Sequence, residues 1–205
     1  MRRLTKICTL LSGGLLIAGL TACSPAQQTA VEPETSAAIQ QSQTTAEESS
    51  TAQNNTEQNT VKTAFDNAQM QTDNPEMPTR VLDNGTRINM HFGDTVIPGI
   101  LNDSETAQAL IERLPLTMEF NHYATDYCAV MDEELPYAES DVHNGWLNGD
   151  INYEITAPYF AILFDGQDES VTHDNQVNIG VMDCELSQIR NLQGSFEVTI
   201  ELAEE

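Results

Sequence analysis

A mainly β fold, a small closed or nearly closed barrel carrying two short helices, is what this 205-residue chain predicts. Three observations carry that expectation. Apolar and polar side chains alternate with a period of two in several short runs, one run is apolar on both faces, and only two segments show helical spacing. Alternation of this kind buries one face of a sheet, and many short strands close on themselves to remove exposed edges.

Ile88, Met90 and Phe92 alternate with Arg87, Asn89 and His91, and Gly93-Asp94 turns the chain into a second run from Thr95 to Leu101, making a hairpin. Asn102-Asp103-Ser104 then offers capping oxygens to a helix on which Ala107, Leu110, Ile111 and Leu114 recur until Pro115 ends it. Leu116 to Phe120 and Tyr127 to Met131 read as strands on either side of a polar turn. Asn144 to Asp150 is a loop rich in turn residues that leads into the strand Ile151 to Ile155. Tyr159 to Phe164 is almost continuously apolar, which in so short a run marks a strand covered on both faces and the centre of the core. Val177, Ile179 and Val181 alternate again, and Asp183 to Leu192 forms the second helix with Leu186 and Ile189 inward. Phe196, Val198, Ile200 and Leu202 interleave with Glu197, Thr199 and Glu201 as the last strand.

The domain so described spans residues 79–205 and holds eleven of the twelve aromatic residues. Residues 1–22 form a signal peptide. Arg2, Arg3 and Lys6 precede an apolar run from Ile7 to Leu20, and Leu20-Thr21-Ala22-Cys23 closes it in the manner of bacterial lipoproteins. The run falls short of the roughly 20 residues that a bilayer span requires. That resemblance implies that Cys23 becomes the acylated N-terminus, so that the partner at this end is membrane lipid and the protein sits lipid-anchored on the extracytoplasmic side of the cell membrane. Residues 23–78 are a Gln, Ser, Thr and Glu-rich tether with Phe65 as its single aromatic, a composition that cannot bury enough apolar surface to order itself. All 32 acidic residues lie beyond the signal, against five basic ones, and this balance excludes nucleic acid as a partner.

The order of elements resembles that of the cyclophilin-like proteins of bacteria, compact barrels related in shape to the cyclophilin prolyl isomerases. The residues that carry the likeness are Leu101-Asn102-Asp103-Ser104, Leu114-Pro115-Leu116-Thr117-Met118, Gly149-Asp150-Ile151-Asn152-Tyr153, Ala161-Ile162-Leu163-Phe164, Ile179-Gly180 and the run Gly194 to Leu202. Isomerase activity on exported proteins is the alternative that the resemblance raises. An active cyclophilin places an arginine beside aromatic and glutamine side chains, where it polarises the proline amide. Here the domain has only Arg80, Arg87, Arg113 and Arg190, the first near the domain edge, and the Phe-His-Arg cluster of active cyclophilins is absent. No catalytic residue is therefore assigned, and the expected role is a non-catalytic module for an unknown peptide, protein or small-molecule ligand at the cell envelope.

Cys128 and Cys184 are the thiols left after lipidation; they form either a disulfide closing a loop of about 56 residues or two buried free thiols. His91, His122, His143 and His173 are scattered without metal-ligand spacing, so no metal or cofactor is assigned. Asp165-Gly166-Gln167-Asp168-Glu169 lacks the spaced ligands of a calcium loop. Trp146, the single tryptophan, stands in a polar loop. It either caps the barrel or pairs with Tyr127, Tyr137 or Met131 in an exposed apolar patch beside Asp132-Glu133-Glu134, a surface suited to a peptide or a cationic small molecule.

Overall fold

The computed structural model describes residues 61–204, so the signal segment, Cys23 and the tether as far as residue 60 lie outside the described residues. The strands are β1 (Thr86–Phe92), β2 (Thr95–Leu101), β3 (Leu116–His122), β4 (Asp126–Val130), β5 (Val142–His143), β6 (Asp150–Glu154), β7 (Tyr159–Leu163), β8 (Gln176–Met182) and β9 (Phe196–Leu202). Two helices, α1 (Glu105–Ile111) and α2 (Ser187–Arg190), interrupt them. Neighbouring strands run in the order β2-β1-β9-β3-β4-β7-β6-β8, and β2 pairs with β8 to close the ring. The result is an eight-stranded antiparallel barrel. β5 lies beside β8 at Val177 and Gln176, on the stretch that β2 leaves unpaired.

Alternation decides what fills the barrel. Ile88, Met90 and Phe92 of β1, Val198 and Ile200 of β9, Phe120 of β3, Ile151 and Tyr153 of β6, and Phe160 and Ile162 of β7 all join one core cluster. Phe92 stands at the hub of the aromatic part, edge-on to Phe120 at 5.6 Å, Tyr127 at 5.2 Å and Phe196 at 5.6 Å. The predicted cap of the first helix is present, since the Ser104 side chain accepts from the Ala107 N–H at 3.2 Å and Ala107 and Leu110 are buried. The second helix is shorter than its sequence signal, but Leu186 and Ile189 face inward as expected. No helix among the described residues is long and apolar enough to cross a membrane.

The expected start of the domain at residue 79 needs correction. Residues 61–78 lie against the barrel as a strap. Thr63 bridges to Asn144, the Ala64 N–H donates to the Asn144 carbonyl at 2.9 Å, and the Asn144 N–H donates back to Lys62 at 2.9 Å. Farther along, Leu186 N–H donates to the Glu76 carbonyl at 2.9 Å and Thr79 N–H to Asn148 at 2.7 Å. The strap has few apolar residues because backbone hydrogen bonds and one arginine hold it, and neither leaves a hydrophobic pattern. Arg80, placed near the domain edge by sequence, is instead 3% exposed and ion-paired with Asp150, which is fully buried. Its Nε and Nη2 donate to the two carboxylate oxygens at 2.8 and 3.2 Å, while Nη1 and Nη2 donate to the carbonyls of Asn67 and Ala64. Gly149 fits this junction because its φ is +95° and a Cβ there would lie 2.4 Å from Pro78.

Candidate functional site

The four residues proposed as an exposed patch do not come together at the surface. Trp146 is buried outside the barrel wall against Ala161 and Leu163, with Cys128 beside it. Its indole N–H donates to the Asp165 carbonyl at 2.8 Å, and its backbone N–H donates to Ser170 Oγ at 3.0 Å. The acidic turn from Asp165 to Glu169 thus roofs the tryptophan. This arrangement explains the run at β7: Phe160 and Ile162 face the interior, and Ala161 and Leu163 face Trp146. Tyr127 is fully buried in the core, Met131 is buried, and Tyr137 is exposed.

The disulfide alternative is corrected as well, since both cysteines are free. Cys184 joins the main core cluster, whereas Cys128 projects from the opposite face of β4 toward Trp146. Burial, reinforced by Asp126 and Glu154, pushes the Cys128 thiol up to about 12. Burial together with Asp183 and Glu185 pushes Cys184 up to about 11. A nucleophilic thiolate needs the reverse environment.

The histidines are equally dispersed. His91 pairs with Glu201, His122 stacks on Phe164, His173 lies against Trp146, and His143 is buried beneath the strap. Among the described residues, no three His, Cys, Asp or Glu side chains converge to hold a metal ion.

One part of the barrel wall is unfinished. β3 and β4 pair only beside their turn, at Asn121 with Cys128 and His122 with Tyr127. Beyond those two pairs the strands part. β3 continues along β9 as far as Leu116, and β4 continues along β7 as far as Val130. The parting leaves a groove of about 620 Å³, lined on one side by Leu116 to Glu119 and on the other by Val130 to Glu133. That volume lies within the range of small-molecule and peptide-side-chain sites.

Met118 and Met131 close the floor of the groove, and Val130, 62% exposed, stands on its wall. Methionine suits such a surface because its unbranched, polarisable chain adapts to different partners. Glu119, Asp132 and Glu133 are exposed around the rim. Arg113 ends the groove, but its guanidinium is engaged, donating to the Glu133 carbonyl at 3.0 Å and the Glu134 carbonyl at 2.9 Å. The groove therefore presents an apolar floor under a negative rim. Met131 and the Asp132-Glu133 run were legible in the sequence, whereas Leu116, Met118 and Glu119 looked like ordinary strand residues.

The model of the cyclophilin-like family matches residues 90–201. A solved structure, that of a hypothetical protein from Archaeoglobus fulgidus, aligns with 60% of this chain and 100% of its own length, at 17% identity and a TM-score of 0.47. Comparison with curated proteins found no match. The family match covers more than half of the chain and every barrel strand at least in part, and the chain belongs to the cyclophilin-like family.

Proposed function

We propose that this protein is a non-catalytic binding module of the cell envelope, carried on a lipidated Cys23 and a polar tether, with the groove between β3 and β4 as its binding site. The observation that carries the reading is the Met118-Met131 floor set within the acidic rim of Glu119, Asp132 and Glu133. Support for the location comes from the basic start, apolar run and Leu20-to-Cys23 ending. The ligand chemistry follows from the walls: an apolar body fills the floor, and a positive charge meets the rim.

The isomerase alternative has less in its favour. Of the arginines in the described residues, Arg80 is buried against Asp150, Arg87 is paired with Asp183, Arg113 bonds to two carbonyls, and Arg190 bonds to the Phe164 carbonyl. None stands in the groove with an aromatic neighbour, since the groove lining contains no aromatic residue.

The test is titration of the chain from Ser24 onward with an eight-residue peptide alternating valine and lysine, followed by backbone NMR. Shift changes confined to Leu116–Glu119 and Val130–Glu133, abolished by Met131→Asp, are the expected result. A peptide that fails to bind at millimolar concentration, or that perturbs a different face, refutes the assignment.

A further inference from the structure

The free edge of β3 carries an inference that rests on this reading and deepens it. In an antiparallel ladder every second residue directs its N–H and C=O to one neighbour, and the intervening residues direct theirs to the other. β3 pairs with β9 over five residues, Leu116 with Ile200 through Phe120 with Phe196. On its opposite edge, only Asn121 and His122 have ladder partners in β4. Extending that register would set Thr117 against Asp132 and Met118 against Met131, yet neither pair forms. A closed barrel ordinarily leaves no such edge, because unpaired N–H and C=O groups are costly when buried and adhesive when exposed. At the far end Arg113 donates to the carbonyls of Glu133 and Glu134, in the bend beyond β4, and leaves the β3 edge from Leu116 to Glu119 uncapped.

We propose that the groove receives an extended segment of another polypeptide, which adds to β3 as a strand and carries apolar residues alternating with lysine or arginine. The alternation follows from the pleat. Inward side chains of an added strand meet Met118 and Met131, and outward ones meet Glu119 and Asp132. Charge decides against two other occupants. The tether between residues 23 and 60 carries Glu32, Glu34, Glu47, Glu48 and Glu57 with no lysine or arginine, and a second copy of this acidic chain meets the same repulsion. The occupant is therefore a basic, extended segment from a different protein.

The experiment uses the valine-lysine octapeptide in three forms: unmodified, N-methylated at the odd positions, and N-methylated at the even positions. Strand addition predicts that one methylated form loses at least tenfold in affinity while the other stays within about threefold of the parent, because only one set of amides faces β3. Hydrogen exchange adds a readout independent of affinity. Amides of Leu116 to Glu119 that face the groove should become protected on binding, with those bonded to β9 unchanged. Equal tolerance of both methylated peptides, with binding retained, overturns strand addition and leaves the binding-module reading in place. Failure of the parent peptide to bind overturns both. Replacing its lysines by glutamates should abolish binding; retained binding also overturns the proposal.

Discussion

Replacing Arg80 by methionine is the perturbation that reaches furthest into this structure. The guanidinium holds three things at once: the Asp150 carboxylate at the start of β6, and the carbonyls of Ala64 and Asn67 in the strap. Methionine fills similar volume but leaves Asp150 fully buried, with the Leu147 N–H at 2.9 Å as its remaining donor. Breaking a buried ion pair from one side costs about 3 to 5 kcal/mol. A domain of this size then loses on the order of 10 to 20 °C in Tm. Urea unfolding of the chain from Ser24 onward measures the free energy, and hydrogen exchange at Ala64, Asn144 and Thr79 reports whether the strap has come loose. Asp150→Asn should cost less, because the amide oxygen still accepts from Leu147. The double variant should lose less than the two single losses together, by roughly 0.5 to 3 kcal/mol. A loss below about 1 kcal/mol for Arg80→Met, with strap amides still protected, would refute the view that this pair joins strap to barrel.

Two further outcomes follow from the same geometry. Burial holds His143 below its ordinary value, with Arg80 and Lys62 adding to the effect and Asp150 and the Asn144 carbonyl opposing it. The unfolded chain therefore binds the proton more readily, so stability should fall as pH drops below about 6.5. His143→Gln should flatten that fall in urea midpoints between pH 7.5 and 5.5; parallel curves for the two proteins would contradict it. Asp126, raised mainly by burial, is common to both and cancels in the comparison. For the cysteines, iodoacetamide at pH 8 should leave Cys128 and Cys184 of the native chain largely unmodified and alkylate both in urea, and reductant should not change the mass or the Tm. Rapid native labelling, or a Tm that falls with reductant, would show that the thiols are misassigned.

Much of the barrel was legible because strand formation here is locally specified. Ile88-Met90-Phe92 and Phe196-Val198-Ile200 alternate so regularly that only one face can be buried, and the Ser104 cap is a short-range hydrogen bond. β4 shows where that legibility ends. Tyr127, Cys128, Ala129, Val130 and Met131 are all apolar enough to face either way, and a slip of one residue exchanges the faces. Pairing with β7, Cys128 opposite Ala161 and Ala129 opposite Phe160, decides that Tyr127 and Ala129 point inward and Cys128 outward. The separate fates of the two thiols and the loss of the Trp146-Tyr127 patch both follow from that parity.

The sequence by itself determined the class of fold, the eight strands of the barrel wall and the acidity of the chain, because these depend on side-chain periodicity and on composition; β5, two residues long, is too short to show a period. Only the tertiary structure decided where β3 and β4 part company, that residues 61–78 lie on the barrel, and that Arg80 sits buried on Asp150. Each of these is set by which distant backbone groups meet, and hydrogen bonds between segments some 70 residues apart leave no periodic trace in the chain that forms them.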